Sequence, residues 1–369
     1  MKFIDLSLQH KRISEKVMTR LNTVFDHSAF IMGPEVRELE KRLRSYVGSD
    51  HCFSCANGTD ALALCLMAAE IGPGDEVITP AFNYFATVEV VCLLGATPVL
   101  VDICPDTYLL DPDKLNAAIT SKTKAVIPVS LFGQIPDMKK IKAAVDAHSH
   151  SIVIIEDAAQ SFGAKQDGLM SCSFADMATT SFFPTKPLGC YGDGGAVFTS
   201  NEKFAERLKM LRNHGQSKKY VHQLIGMNSR LDTMQAAVLL EKLEILDDEI
   251  ELRNKVADNY KNLLEGTSFQ PPTIAARNTS VYAQYTLRTN HREKLISFMK
   301  EHEIPVMIHY PATVDEQPVF AGGISGSENI PHSKKAAREV FSVPMYPYLT
   351  LDHQKKICAK LEEFSSLNL

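Results

Sequence analysis

The sequence predicts an α/β fold in which a large domain holds a mostly parallel sheet between helices and a smaller α+β domain follows at the C-terminal end. Short apolar runs rich in Val and Ile alternate with helical patterns through the first half of the 369-residue chain, which is typical of parallel strands joined by helices. Some runs, such as 152–155, are apolar at every position, as expected for strands buried on both faces. The alternation stops near residue 226, so a different architecture is expected beyond it.

The first part of the chain begins with two amphipathic helices and continues with six strands. Apolar residues recur at helical spacing over 8–26 and 35–47. The runs that predict strands end in turn residues and cover 76–80, 97–102, 125–130, 152–157, 178–183 and 195–199. Helical patterns between them cover 59–71, 85–94 and 137–147.

The second part is more helical and less regular. One helical pattern with few breakers extends from 231 to about 265, and Pro271 and Pro272 follow it. The patterns beyond predict a strand, a helix, a second strand, a mobile Gly/Ser stretch and a C-terminal helix, at 281–288, 292–302, 306–309, 322–328 and 352–364. We expect a large domain over 1–250, which includes the N-terminal helices, and a small domain over 251–369.

The composition excludes several classes of protein. With 39 basic and 44 acidic residues the net charge is −5, so the chain lacks the basic surface of nucleic-acid or anionic-membrane binding proteins. Its longest strongly apolar stretch, 61–69, is well short of the about 20 residues of a transmembrane helix, and the N-terminus lacks a signal-peptide pattern. We expect a cytoplasmic protein that binds neither nucleic acid nor membranes.

The cysteines do not indicate a metal site. Cys52 and Cys55 form one CxxC pair among eight cysteines, but no second pair or nearby His pair completes the four ligands that zinc needs. A redox pair and two structural thiols both remain open, and the second is favoured because buried thiols are usually inert. No metal is expected.

Two charged residues follow predicted strands at positions where charge is unusual. Asp157 ends the strand over 152–157, at the edge where open α/β sheets bind ligands. Lys186 lies in a loop rich in Pro and Gly between two buried strands. Alone, Asp157 is typical of a helix cap and Lys186 of an ion pair. However, a buried lysine also suits an amine nucleophile, because burial lowers its pKa.

Pyridoxal 5′-phosphate (PLP) requires both residues at once. Its aldehyde needs a lysine amine, and its pyridine nitrogen needs an acidic partner that keeps it protonated. Its phosphate needs backbone N–H groups at a helix start, where Gly58 and Thr59 lie, although these residues also suit an ordinary helix cap. Tyr84 follows a strand end and is placed to face the pyridine ring.

Together these motifs resemble the DegT/DnrJ/EryC1/StrS family of PLP-dependent sugar-nucleotide aminotransferases, which has fold type I. The resemblance rests on NGTDAL at 57–62, EDAAQ at 156–160, SFFPTKPLG at 181–189 with GDGGA at 192–196, and NSRLD at 228–232. It extends from FIMGP at 30–34 to HYP at 309–311, nearly the whole chain.

The resemblance implies a role for each matching residue. Lys186 would hold the cofactor covalently and move the substrate proton, while Asp157 would pair with the pyridinium. Asn228 would reach the phosphate in a neighbouring subunit, so the active unit would be a homodimer with shared sites. The cofactor-binding residues would be Gly58, Thr59, Tyr84, Asp157, Gln160, Ser181, Lys186 and Asn228.

The resemblance also implies the two substrates. L-Glutamate would leave its amino group on the cofactor as pyridoxamine phosphate (PMP) and depart as 2-oxoglutarate, and a UDP-linked keto sugar would accept the group. The expected acceptor is C3 of UDP-2-acetamido-2-deoxy-3-oxo-glucuronic acid, for surface polysaccharide such as lipopolysaccharide O-antigen. The cationic segment 212–230 suits a diphosphate and a carboxylate. For Lys218 and Lys219 a solvated loop is an equally good explanation, whereas for Arg230 contact with the ligand is favoured. The candidate substrate-binding residues are Ser28, Phe30, Arg212, Arg230, His309 and Tyr310.

Two alternatives stay open at this point. One keeps the cofactor and changes the acceptor to a 4-keto or another 3-keto nucleotide sugar. The other is a regulatory protein that keeps the fold without catalysis, and the presence of both Lys186 and Asp157 weighs against it.

Overall fold

The computed structural model describes residues 1–367 and confirms the α/β class. The strands are β1 (His51–Cys55), β2 (Glu76–Pro80), β3 (Thr97–Val101), β4 (Thr123–Val126), β5 (Val153–Asp157), β6 (Lys165–Gln166), β7 (Leu169–Met170), β8 (Met177–Ser181), β9 (Gly195–Thr199), β10 (Gln216–Lys218), β11 (Val221–His222), β12 (Tyr285–Arg288) and β13 (Val340–Val343). The helices are α1 (Leu6–His27), α2 (Pro34–Val47), α3 (Gly58–Ala68), α4 (Ala86–Leu93), α5 (Leu115–Ala118), α6 (Met138–Asp146), α7 (Glu202–Leu211), α8 (Thr233–Leu243), α9 (Leu246–Leu263), α10 (Arg292–Glu301), α11 (Pro331–Glu339) and α12 (Leu351–Ser366). No helix in this described part of the chain is long and apolar enough to cross a membrane.

A seven-stranded sheet in the order β1-β9-β8-β5-β4-β2-β3 forms the centre of the molecule. Strand β9 is antiparallel to both of its neighbours, and the other pairs are parallel, so the mostly parallel sheet is confirmed. The strand predicted over 125–130 ends at Val126. Pro128 cannot donate a hydrogen bond, and pairing with β5 resumes beyond it only as an isolated bridge between Val129 and Asp157. Sequence patterns missed β1, whose sequence HCFSC has no β-branched residue.

Helices cover both faces of this sheet. Leu39 and Leu43 of α2 pack with Cys52 on one face, while Leu64 of α3 packs with Cys55 on the other. The two cysteines therefore belong to different core clusters, because residues three apart on a strand point to opposite faces. Both are buried and free, and burial raises the pKa of each thiol, which suits structural thiols.

The prediction of one continuous helix from 231 to about 265 was wrong. Helix α8 ends at Leu243 and α9 begins at Leu246. Ile245 between them has φ −110° and ψ 1°, outside the helical region. The break lets α8 pack against α1 and α2 while α9 packs against α12.

The C-terminal part contains one antiparallel pair, β12 with β13, surrounded by helices. The strand predicted over 306–309 was wrong, because only Met307 forms an isolated bridge, to Ser342. The predicted domain boundary at 250/251 falls inside α9, and the division into two domains stays a prediction. Helix α11, which the sequence patterns missed, begins beside Asp102, whose carboxylate accepts hydrogen bonds from the backbone N–H groups of His332 and Ser333.

The Gly/Ser stretch 322–328 was expected to be mobile, but it contacts the outer strand of the sheet. The N–H of Leu100 in β3 donates to the carbonyl of Ser325 over 2.8 Å. A Cβ on Gly326 would lie 2.1 Å from the carbonyl oxygen of Leu100, so only glycine permits this approach. The stretch therefore covers the edge of β3.

Candidate active site

A cavity of about 710 Å³ lies at the carboxyl ends of β5 and β8. Open α/β sheets bind ligands at this edge because the loops leave the strands there. Most of the predicted site residues line this one cavity. They are Gly58, Thr59, Tyr84, Asp157, Gln160, Ser181, Lys186, His309 and Tyr310.

Asp157 is the last residue of β5 and is buried. Its Oδ2 accepts a hydrogen bond from Thr87 Oγ1 at 2.9 Å, and its Oδ1 accepts one from the N–H of Ala159 at 3.1 Å. Burial raises the pKa of this carboxyl, and the two hydrogen bonds and the positive charge of Lys186 oppose that rise. A buried carboxylate with so few partners is stabilised by a cation placed in the cavity.

Lys186 follows β8 in a tight loop, and its own N–H donates to the carbonyl of Phe183 at 2.9 Å. The loop turns the side chain back into the cavity. Burial lowers the pKa of the amine, and the negative charge of Asp157 opposes this only in part. A lowered pKa raises the fraction of neutral, nucleophilic amine near pH 7.

The start of α3 forms an anion cradle at another wall of the cavity. The Asn57 side chain caps the helix by accepting the N–H of Asp60 at 2.8 Å, and the N–H groups of Gly58 and Thr59 have no partner among the described residues. A Cβ on Gly58 would lie 2.8 Å from the Cβ of Ser181. Glycine thus brings the helix N-terminus and a hydroxyl together, which suits a phosphate.

Gln160 connects the sheet edge to Tyr310. Its Oε1 accepts the N–H of Phe132 at 2.9 Å, and its Nε2 donates to Tyr310 Oη at 3.0 Å. The ring of Tyr84 is 5.9 Å from that of Tyr310 and is largely exposed, so it is free to cover a planar group.

Sequence reasoning missed two residues of this site. Thr87 donates to Asp157 as described, and its only sequence signal is its position in the first turn of a helix that follows a predicted strand end. Gln284 lines the cavity, and its Oε1 is buried without a hydrogen-bond partner among the described residues. A buried polar atom of this kind is costly unless a ligand or water satisfies it.

The structure does not bring Arg212 to the cavity. Its guanidinium is buried, pairs with Glu40, and donates to the carbonyl of Ser54 at 2.9 Å. It also lies over the ring of Phe53 at 5.3 Å. The N–H of Ser54 donates to Glu40 at 3.0 Å. Glu40 and Arg212 together therefore occupy the outer edge of β1. Arg212 therefore acts in packing within its own subunit.

The remaining predicted residues, Ser28, Phe30, Asn228 and Arg230, form a second group outside this cavity. The Phe30 carbonyl accepts the N–H of Thr233 at 2.9 Å, which ties the loop after α1 to the segment that contains Arg230. Arg230 donates to Asn213 Oδ1 at 2.6 Å, and its buried Nε has no partner among the described residues.

The residues of the cavity fit PLP. The cradle at Gly58 suits the phosphate, Lys186 offers an amine whose pKa burial lowers, and the buried Asp157 carboxylate suits a protonated ring nitrogen. Comparison with known proteins agrees, since residues 11–362 match the model of the DegT/DnrJ/EryC1/StrS aminotransferase family. The chain belongs to this family. It is a PLP-dependent aminotransferase, as the sequence predicted.

Two relatives of this aminotransferase are similar over almost their full length. UDP-2-acetamido-2-deoxy-3-oxo-D-glucuronate aminotransferase of Pseudomonas aeruginosa is 51% identical over 97% of this chain and 99% of the relative. A protein of Geobacillus stearothermophilus described as a pleiotropic regulatory protein is 44% identical over 98% and 97%.

Solved structures agree on the fold and the cofactor. A DegT DnrJ EryC1 StrS aminotransferase from Brucella abortus superposes with a TM-score of 0.95 at 41% identity over 99% of each chain. The PLP form of the putative sugar aminotransferase Spr1654 from Streptococcus pneumoniae superposes with a TM-score of 0.90 at 26% identity over 96% and 97%. Fold type I is therefore confirmed for this aminotransferase.

Proposed function

We propose that this aminotransferase moves the amino group of L-glutamate to C3 of UDP-2-acetamido-2-deoxy-3-oxo-glucuronic acid, in the cytoplasm, for surface polysaccharide such as lipopolysaccharide O-antigen. The observation that carries the proposal is the 51% identity, over 97% of the chain, to the Pseudomonas aeruginosa enzyme named for that acceptor. The cavity supports it, because Lys186 and Asp157 lie in one site that fits the cofactor.

Lys186 and Asp157 have different tasks in the proposed reaction. PLP, when bound, supplies an electron sink that makes the hydrogen on the amino-bearing carbon acidic. Lys186, whose pKa burial lowers, accepts and returns that proton. Asp157 holds the positive charge of the ring nitrogen, and Thr87 and the N–H of Ala159 hold Asp157 in place. His309, Tyr310 and Gln284 line the remaining wall of the cavity, beside the space for the substrate.

We further propose that a homodimer completes each site. Asn228 and Arg230 lie outside the cavity of their own subunit, and apolar side chains near them are exposed, with Phe30 at 44% and Ile225 at 91%. Exposed apolar groups beside a cationic segment are typical of an interface. A second copy that covers these groups would bring Arg230 to the phosphates or carboxylate of the neighbour's substrate.

The test of the proposed function is an acceptor panel. The purified holoenzyme, with L-glutamate, is incubated with UDP-linked 3-keto uronic acid, 3-keto hexose and 4-keto hexose, and 2-oxoglutarate release is measured. We expect the highest kcat/KM with the 3-keto uronic acid. Preference for a 4-keto sugar or for the 3-keto hexose would show that the acceptor is that sugar and not the uronic acid. No turnover with any sugar would favour a regulatory protein. This alternative is tested because the Geobacillus relative is described as a regulatory protein.

Replacing Arg230 by lysine is expected to raise the KM for the sugar nucleotide about 10- to 100-fold, because one charge-assisted hydrogen bond contributes about 1.5–3 kcal/mol. Lysine keeps the charge but loses the planar pair of donors. The rate of the glutamate half-reaction should stay near that of the unmodified enzyme, and stopped-flow absorbance of the cofactor measures the two half-reactions separately.

Mixing subunits shows whether Arg230 acts across the dimer. Arg230→Ala and Lys186→Ala chains, each weakly active or inactive alone, would form mixed dimers with one intact site and one doubly defective site. Activity should reappear after subunit exchange, while Lys186→Ala mixed with Lys186→Arg should stay inactive. Verified exchange without recovery would place the function of Arg230 within its own subunit.

Replacing Gln284 by methionine is expected to raise the KM for the sugar about 2- to 10-fold, the range of one neutral hydrogen bond. Methionine keeps the shape of the side chain and removes the buried Oε1, which has no described partner. The sugar offers hydroxyl and amide N–H donors to that oxygen. Equal KM values for the sugar in Gln284→Met and the unmodified enzyme, with equal melting temperatures, would show that Gln284 does not contact the sugar.

A further inference from the structure

The segment that contains His309 is fixed to β13 by its backbone. The N–H of Ser342 donates to the carbonyl of Met307 at 2.7 Å, and the N–H of Met307 donates to the carbonyl of Ser342 at 3.1 Å. This pairing holds the Ser342 hydroxyl 3.0 Å from Nδ1 of His309. A residue of the C-terminal sheet thereby contacts the imidazole that lines the active-site cavity.

A second hydroxyl continues this contact. Thr286 of β12 is the cross-strand partner of Ser342, and the two hydroxyl oxygens are 3.0 Å apart. Thr286 is 2% exposed and Ser342 is 0% exposed. Three side chains thus form a buried chain of hydrogen bonds that ends at Nδ1 of His309.

The direction of this chain follows from counting donors. The Thr286 hydroxyl contacts only Ser342 among the described side chains, so it donates to Ser342; in the opposite direction its hydrogen would be buried without an acceptor, which is unfavourable. Ser342 then donates to Nδ1 of His309. Nδ1 is therefore the acceptor of a neutral imidazole, and the ring hydrogen lies on Nε2.

The Nε2 atom has no hydrogen-bond partner within residues 1–367, and the ring lines the cavity. Burial and the positive charge of Lys186 lower the pKa of His309 to about 4. The ring is therefore neutral near pH 7, and the N–H at Nε2 is a donor without a partner among the described residues, on a ring that lines the cavity.

We propose that Ser342 and Thr286 are positioning residues that fix His309 as its Nε2–H tautomer, so that it donates a hydrogen bond to an oxygen of the sugar substrate. The tautomer itself depends only on the described hydrogen bonds, while the contact with the sugar rests on the proposed function. The opposite tautomer would offer a lone pair at the same position, which repels a carbonyl or carboxylate oxygen because such an oxygen only accepts hydrogen bonds.

The tautomer is measured without any turnover. The PLP-bound holoenzyme is prepared with ¹⁵N-labelled histidine, and the signals of His309 are assigned by their loss in His309→Asn. We expect a protonated Nε2 and an unprotonated Nδ1 in the unmodified enzyme. In Ser342→Ala and Thr286→Val both tautomers should be populated, and Thr286→Ser, which restores the hydroxyl, should restore the single tautomer.

Kinetics then separate the two half-reactions. Ser342→Ala and Thr286→Val should each raise the KM for the sugar nucleotide about 2- to 10-fold, as part of one hydrogen bond is lost. The glutamate half-reaction should keep its rate, and Thr286→Ser should recover the sugar KM together with the tautomer. A structural role alone would lower the melting temperature without this asymmetry.

Three results would overturn the proposal. The first is an Nδ1–H tautomer in the unmodified enzyme, and the second is a tautomer that does not change in Ser342→Ala. The third is a changed tautomer with an unchanged KM for the sugar, which would show that His309 does not donate a hydrogen bond to the sugar. If the acceptor panel identified a different sugar, the NMR result would be unaffected and the kinetics would be repeated with that sugar, so the two failures are distinguishable.

Discussion

Replacing Lys186 by alanine is expected to abolish transamination, with kcat reduced by about 10⁴-fold or more, because the variant loses both the amine that holds the cofactor and the group that moves the proton. The side chain lies in the cavity, and burial lowers the pKa of its amine. Reduction of the holoenzyme with borohydride followed by mass spectrometry should find the cofactor attached to Lys186. The variant should show no such attachment.

Two control variants test whether the loss of activity is due to the amine of Lys186 itself, and not to the loss of its charge or of any buried lysine. Lys186→Arg keeps the positive charge but cannot serve as a nucleophile near pH 7, so it should be as inactive as Lys186→Ala. Lys242 is a buried lysine elsewhere in the molecule, and burial lowers its pKa to about 8. It lies 4.6 Å from the ring of Tyr191, outside the cavity, so Lys242→Met should retain the covalent cofactor. Amine exchange by Lys186→Ala at a comparable rate would show that another group is the catalytic amine.

Replacing Asp157 by asparagine is expected to lower kcat by about 10²- to 10³-fold. Removing one partner of a buried charge pair costs about 3–5 kcal/mol, and without the carboxylate the ring nitrogen of the cofactor loses its proton. The fold should persist, because asparagine can keep the hydrogen bonds with Thr87 and the N–H of Ala159. The absorbance of the bound cofactor against pH reports the ring protonation directly.

Glu156 provides a matched control for Asp157. It precedes Asp157 on β5, is equally buried, and accepts hydrogen bonds from Ser130, Ser171 and the N–H of Cys172. It does not line the cavity. Glu156→Gln should therefore lower the melting temperature and leave the cofactor spectrum unchanged. Asp157→Asn should change the cofactor spectrum and leave the melting temperature nearly unchanged. Activity of Asp157→Asn near that of the unmodified enzyme would contradict its role.

The residues around the cofactor could be predicted because each belongs to a local pattern. Asp157 ends an apolar run, and Lys186 follows another. Gly58 opens a helix. The carboxyl ends of parallel strands meet at one edge, so local patterns there converge in space.

Other residues could not be predicted because their roles depend on distant partners. Arg212 is locally one of several cations, and only its pairing with Glu40, 172 positions away, places it in the packing of β1. Gln284 and Ser342 come from a C-terminal part whose strands are short and whose hydrophobic pattern is irregular. Burial without a partner, as for Gln284 Oε1, is visible only in three dimensions.

The covered edges of the central sheet restrict how copies of this protein can associate. At one outer strand, Glu40 and Arg212 occupy the N–H and carbonyl of Ser54, and at the other the Ser325 carbonyl occupies the N–H of Leu100. An unpaired edge is a template for strand addition between chains, and native proteins block it with charges or loops. Both templates are occupied here, so a continuous sheet cannot form across two subunits at these positions. The largest sheet is therefore protected at these two positions against the addition of a strand from another chain, which is the contact through which fibrous aggregates grow.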